Sequence, residues 1–263
     1  MSSNETSSDI EHLDDAGVRS IIINRPHRKN ALDIPMRKQL TDLVTAAHTD
    51  PDIRAIVLTG AGATFCSGAD VVGMEQQKDL AKARARVETA QKIARSICSG
   101  PTPVIAAVEG VAFGAGLAIA LACDYVVATP DARLSAAFVN VGLSGDVGIM
   151  FSLPRRVGPS RARAMMMLAQ TVDGSEALRI GLVDELTEPG HALARATEVA
   201  TTLAARPPLA IAAIKKAYAE PPASLEDALE TELGLQAPLL GSEDFLEAIT
   251  AFKDKRKPSY TGT

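Results

Sequence analysis

The chain has 263 residues, of which 46% are hydrophobic and 22% charged, and its formal net charge is −5. That length accommodates one large domain, or one domain with a helical appendage, at the composition of an ordinary globular protein. With 3% aromatics, no Trp and an acidic balance, it is ill suited to stacking nucleic-acid bases or to adhering to anionic membranes.

Residues 1–15, beginning "MSSNETSSDIEHLDD", lack a basic segment followed by an apolar one, so no secretory leader is expected. They read as a mobile polar tail. "RSIIIN" (Arg19 to Asn24) reads as a buried strand and "RPHRKN" as a basic loop. Asp33 is placed to cap a helix running through His48, with Met36, Leu40, Leu43, Val44 and Ala47 on one stripe. "RAIVLTG" (Arg54 to Gly60) is a second strand, and residues 75–98 have helical spacing with mixed charge. "PVIAAVEG" (Pro103 to Gly110) is a third strand, a helix should start near Ala115, and "DYVVAT" (Asp124 to Thr129) is a fourth strand. A short fifth falls at Arg133 to Ser135. From about Gly148 the pattern turns helical, with a helix over 191–206, Pro207 and Pro208 heading the next, and Ser224 and Ser242 as caps. Strands alternating with helices, followed by helices alone, define an α/β core at 16–200 and a C-terminal helical subdomain at 201–263.

The apolar run Val104 to Ala122 is long enough to test as a membrane span, but it contains Glu109 and three glycines, and its periodicity changes midway. Strand, turn and helix account for it better, and a cytoplasmic protein is expected. The three cysteines, Cys66, Cys98 and Cys123, lie in apolar or small-residue settings and point to a reducing compartment. The four histidines are scattered, so no metal is expected.

Two stretches hold the chemistry. "FCSGAD" (Phe65 to Asp70) and "GVAFGAGLAIALACD" (Gly110 to Asp124) each place small residues where a strand gives way to a helix. Helix N-termini leave N–H groups unpaired, and two such turns facing each other could hold a carbonyl oxygen as it gains negative charge. Tight packing of strand against helix would require the same small residues, so composition leaves both readings open. "GAG" at 114–116 is not a dinucleotide fingerprint, because Ile119 stands where a third glycine is needed. No GxSxG elbow supports a serine hydrolase.

Four segments occur in order: "NRPHRKNAL" (24–32), "GAGATFCSGAD" (60–70), "AAVEGVAFGAGLAIALACD" (106–124) and "VGLSGDVGIMFSLPRRVG" (141–158). Together with "GLVDEL" (181–186) and "AFKDKRKPSYTG" (251–262), they resemble the successive motifs of the enoyl-CoA hydratase/isomerase, or crotonase, superfamily. The resemblance covers nearly the whole chain beyond the N-terminal tail. It implies a crotonase-like ββα spiral core, a C-terminal helical trimerisation subdomain, a homotrimer or dimer of trimers, and acyl-CoA thioester substrates. Coenzyme A is then part of the substrate, and no separate cofactor or metal is implied.

The resemblance assigns the two oxyanion N–H groups to Ala69 and Ala115. It also implies that a two-glutamate hydratase would carry its acids at Ala118 and Phe138, neither of which can ionise. Asp146 is the acid that remains. It could cap the helix expected near Val147, or it could move a proton as a lone catalytic carboxylate. Family isomerases with a motif similar to "GLSGDVG" imply the second role, in a shift of a 3-enoyl-CoA double bond to the 2-position. The alternatives are a hydratase with a non-standard acid, a hydrolase resembling 4-chlorobenzoyl-CoA dehalogenase, and a non-catalytic acyl-CoA-binding protein. The dehalogenase reading needs a His that residues 75–100 lack. The resemblance further places Arg28, Lys29, Ala31, Ser67, Gly68, Asp70, Gly114, Phe138, Phe252 and Lys255 in substrate binding. Asp70 and Asp124 also read as structural acids, and Glu75 as a candidate for the acyl pocket.

Overall fold

A computed structural model describes residues 9–72 and 79–263. Strands β1 (Ile10–Asp15), β2 (Val18–Ile23), β3 (Ala55–Gly60), β4 (Val104–Val108), β6 (Tyr125–Ala128) and β9 (Glu185–Leu186) form one sheet, in the order β1-β2-β3-β4-β6-β9. Strands β5 (Val111–Phe113), β7 (Arg133–Ser135) and β8 (Thr171–Asp173) form a second. Within the larger sheet only the β1–β2 pair is antiparallel. The helices are α1 (Ile34–Thr49), α2 (Leu80–Ser99), α3 (Ala115–Ala122), α4 (Ile149–Val157), α5 (Pro159–Leu168), α6 (Gly174–Arg179), α7 (Ala192–Ala204), α8 (Pro208–Ala219), α9 (Leu225–Leu240) and α10 (Glu243–Asp254).

Each circuit of the chain lays a strand in the large sheet, a second extended segment across it, and then a helix. After β4 the second segment is β5. After β3 it is the loop at Cys66, which bridges Ala112 of β5 in parallel, with Phe65 N–H donating to the Glu109 carbonyl and Cys66 N–H to that of Val111. After β2 it is Leu32, which bridges Ala69. This is the expected ββα spiral.

Alternation along the strands divides the core in two. Ile56, Leu58, Val104 and Ala106 face the main core with α1, α2 and α3. Ala55, Val57, Ile105 and Ala107 face Ala192, Ala196 and Ala200 of α7, an alanine stripe at helical spacing that lets the helix lie close to the sheet. Helix α7 is therefore part of the core and runs through residue 204, so a boundary at 200 would cut an element the sheet needs. All eight residues of α3 are buried, and a helix surrounded by core has no face for a charge. The run 104–122 is thus strand, strand and helix, and no helix among the described residues is long and apolar enough to cross a membrane.

The N-terminal expectation is corrected. Residues 10–15 are not tail but β1, paired along its length with β2. Ile10 is buried, and Asp14 accepts two hydrogen bonds from Arg19 at 2.8 and 2.7 Å. Strands β8 and β9 likewise interrupt the region expected to be purely helical. The helix caps are observed as expected at Asp33, Ser224 and Ser242.

Helix α8 is stapled to the core by Lys215, 6% exposed, which donates to the Asp124 carboxylate and to the Ile97 carbonyl. Asp124 also accepts from Val104 N–H at 2.7 Å. The two halves of the pair are not equivalent, because the Asp124 side chain is 30% exposed and the Lys215 side chain 5%. Asp124→Ala strands a buried ammonium and should destabilise by about 3 kcal/mol in urea denaturation. Lys215→Met leaves a carboxylate that water can reach and should cost under about 1 kcal/mol.

Candidate functional site

The site forms where three chain segments meet. A short 3-10 turn at Pro26–Arg28 leads into Lys29 and Asn30, both left-handed at φ 51° and 56°. Asn30 is fully buried. Its side chain donates to the carbonyls of Ala61 and Thr64 and accepts from Arg25 N–H, at 2.9, 2.6 and 2.9 Å. This clamp fixes the basic loop to the first small-residue loop, and the sequence reading missed it; the available signal was a polar residue directly before an apolar one at the loop's end. Ser67 N–H then donates to the Lys29 carbonyl, Leu32 N–H to that of Gly68, and Asp70 N–H to that of Leu32. Arg28, Lys29, Ala31, Ser67, Gly68 and Asp70 are thereby brought together. Arg28 and Lys29 are exposed, while the Asp70 carboxylate is held by Arg25 at 2.9 Å.

The third segment is the turn into α3. Gly114, at φ 51°, is the N-cap, and its N–H donates to the Ser135 carbonyl. A Cβ on Gly116 would lie 2.1 Å from the Cys66 carbonyl oxygen, so the helix start presses directly on the first loop. Gly68 needs its glycine for both φ (+108°) and space, since a Cβ would meet the Phe113 carbonyl at 2.9 Å. The small residues thus permit close packing of the two loops, and they leave backbone bare.

Among the described residues, neither Ala69 N–H nor Ala115 N–H donates a hydrogen bond. Leu32 pairs with the two neighbours of Ala69, which leaves the Ala69 N–H on the opposite side. Ala115 is the first residue of α3, where no preceding turn supplies a carbonyl. The Cys66 sulfur accepts from Gly68 N–H at 3.4 Å. Burial pushes its thiol up to about 12, which suits packing and not nucleophilic attack.

Ala118 is fully buried within α3, and Phe138 is 7% exposed; the Phe138 ring edge would touch a Cβ at Gly114 at 4.0 Å. The Phe138 carbonyl accepts from Leu143 N–H, and the chain then winds to Asp146. Helix α4 begins at Ile149 with Gly148 as its N-cap and no side-chain cap. Asp146 is therefore not the helix cap. Among the described residues its carboxylate takes only the neighbouring Val147 N–H, at 2.7 Å, and Val147 is held at φ 53°. Burial raises the Asp146 pKa above its ordinary value, against the Val147 hydrogen bond and the positive charges of Arg37 and Arg86.

Phe252 and Lys255 stand apart from this cluster, at the exposed end of α10. Their side chains make no hydrogen bond or ion pair among the described residues. Glu75 lies outside the described residues.

Two backbone N–H groups, Ala69 in the first loop and Ala115 at the start of α3, thus go without a hydrogen bond among the described residues on a ββα spiral. The enoyl-CoA hydratase/isomerase family profile matches residues 14–263, and the chain belongs to that family, within the crotonase superfamily. It is 40% identical over 254 residues to the "Probable enoyl-CoA hydratase" of Rhodobacter capsulatus, covering 94% of this chain and 95% of that one. It is 32% identical over 252 residues to the 1,2-epoxyphenylacetyl-CoA isomerase of Escherichia coli, covering 94% and 95%. A crystal structure of enoyl-CoA hydratase from Bacillus anthracis superposes with a TM-score of 0.92 at 29% identity, covering 97% of this chain and all of that one.

Proposed function

We propose that the protein shifts the double bond of a 3-enoyl-CoA to the 2-position. The thioester oxygen sits between Ala69 N–H and Ala115 N–H, Asp146 removes a proton from C2, and the resulting enolate is held until the proton returns at C4. The observation that supports this is Asp146 itself: an acid with a raised pKa, not engaged as a helix cap, in a site where the two positions of a hydratase's glutamates are Ala118 and Phe138. A carboxylate that must act first as base and then as acid works best with its pKa moved toward the working pH. The 1,2-epoxyphenylacetyl-CoA isomerase in the same family is compatible with isomerase chemistry on this scaffold. Proton transfer alone is involved, so the reaction calls for no redox group.

The exposed Arg28 and Lys29 suit the phosphates of coenzyme A, and Phe252 and Lys255 suit the coenzyme A of a neighbouring copy. Helix α9 supports self-association: it has no buried residue, and Leu225, Leu229 and Leu233 are 67, 54 and 61% exposed at four-residue spacing, an apolar stripe that a homotrimer could cover. A panel of 3-enoyl-CoA, 2-enoyl-CoA and 4-chlorobenzoyl-CoA tests the assignment. Conversion of the first is expected. Efficient hydration of the second, release of chloride from the third, or binding without turnover of any would overturn it.

A further inference from the structure

Helices α9 and α10 are lightly seated. Helix α9 has no buried residue, and α10 buries Asp244 and Ala251. The segment joining α9 to α8, residues 220–224, is exposed throughout. Pro221 and Pro222 have no N–H to donate. Among the described residues neither they nor Ala223 makes a backbone hydrogen bond. Helix α8, in contrast, is fixed to the core through Lys215. The two last helices thus form an arm on an exposed hinge.

The chain beyond α10 ties the arm down. Lys255, at φ 55°, ends the helix and turns the chain back along it. Arg256 grips Glu247 through both terminal nitrogens, at 2.6 and 2.7 Å, and Ser259 N–H donates to the same carboxylate at 2.8 Å. Asp244, 3% exposed, accepts from Thr261 N–H at 2.7 Å and from Gly262 N–H at 3.0 Å. Its own N–H donates to the Thr263 carbonyl at 3.3 Å. The other side of this return meets the body of the protein. Arg54, directly before β3, donates to the carbonyls of Tyr260 and Thr261 at 3.3 and 3.4 Å. Gly262, at φ 84°, lies so close to Pro208 at the head of α8 that a Cβ would fall 2.8 Å from the ring. The junction is not packed solid: a cavity of about 250 Å³ lies there, with Arg54, Pro208, Thr261 and Gly262 in its lining.

We propose that residues 256–263 are a releasable latch. Closed, they hold the α9–α10 arm against Arg54 and Pro208; open, they let it swing about residues 220–224 while the spiral core stays folded. The chemistry of the contact suits release. Among the described residues no Lys or Arg pairs with Asp244, so closing exchanges the hydration of a carboxylate for backbone hydrogen bonds. Opening returns water to the carboxylate and to the N–H groups of the latch alike, and the two states differ by little. An apolar joint has no such compensation, because its exposure to water is unfavourable on both sides. Phe252 and Lys255 ride on the arm, so the latch sets where they stand.

The test is amide hydrogen exchange of the full chain under native conditions, read by mass spectrometry on peptides from α10, β4 and α3. It needs no substrate, so its result is independent of the proposed chemistry. Three variants attack the latch from different sides: Asp244→Ala within the arm, Gly262→Ala in the latch, and Arg54→Met on the body. Each should speed exchange across 243–254 by about tenfold or more, the loss expected when hydrogen bonds to a charged group are removed. Exchange in β4 and α3 should change by less than about twofold. Should Asp244→Ala not fold, the other two variants carry the same expectation, since neither alters the arm itself. Equal acceleration of α10, β4 and α3 would show that the arm opens only when the whole chain unfolds, and would overturn the proposal. So would acceleration in Asp244→Ala alone, which marks fraying of one helix end, or unchanged exchange in all three.

Discussion

Asp146→Asn should lower kcat for 3-enoyl-CoA isomerisation about a thousandfold, within the range that a positioned acid–base group contributes. The affinity for a saturated acyl-CoA should stay within about threefold, because binding runs through backbone N–H groups and the basic loop. The same variant should be more stable than wild type at neutral pH. Burial raises the Asp146 pKa above the ordinary 3.8, so the folded chain holds its proton more tightly than the unfolded chain does. Stability therefore falls as pH rises through the interval between those two values, and the deficit persists at pH 7. Asparagine has no charge to desolvate, so the gain should be present at pH 7 and absent below about pH 3.8. Thermal unfolding at the two pH values checks this. Unchanged turnover in Asp146→Asn would remove the residue from the mechanism, and lower stability at pH 7 would contradict the desolvation account.

Gly116→Ala should damage both fold and site. The added Cβ would lie 2.1 Å from the Cys66 carbonyl oxygen, and that oxygen already accepts from Phe113 N–H at 3.0 Å, so the obstacle is backbone and cannot rotate away. Either α3 or the first loop must move, at about 3 kcal/mol. Any such movement also separates the Ala69 and Ala115 N–H groups. Loss of one oxyanion donor typically costs about 100- to 1,000-fold in kcat, and a loss of that size is expected even in the fraction of the variant that folds. Urea denaturation and turnover per folded molecule separate the two effects. A variant of wild-type stability and rate would show that the contact between loop and helix is not what sets the donors.

The turn into α3 was legible because Gly114, Ala115 and Gly116 mark it chemically and because the uncharged run after it admits only a buried helix. The acid at 146 was singled out only through the family resemblance, which places a hydratase's glutamates at Ala118 and Phe138. Other features left little trace. Strand β1 is written "IEHLDD", which has the polarity of a tail; it holds as an edge strand through one buried isoleucine and the Asp14–Arg19 pair, and those depend on a partner strand. Strands β8 and β9, at three and two residues, are too short to show a period. Asp146 looked like a cap because an Asp just before a helix usually is one; Val147 and Gly148, both at positive φ, delay the helix start beyond its reach.

The parallel bridges of Leu32 with Ala69 and of Cys66 with Ala112 have a consequence for how such a protein can change. The two proposed donors, Ala69 and Ala115 N–H, are indexed by strand register, so their separation is inherited from main-chain hydrogen bonding and owes nothing to the side chains at 118, 138 or 146. On the proposed function, those side chains decide which proton moves and which acyl group fits. They can be exchanged without redrawing the anion cradle, so a lineage could drop one reaction and acquire another by substitutions at a few positions while the apparatus for holding an enolate stayed fixed.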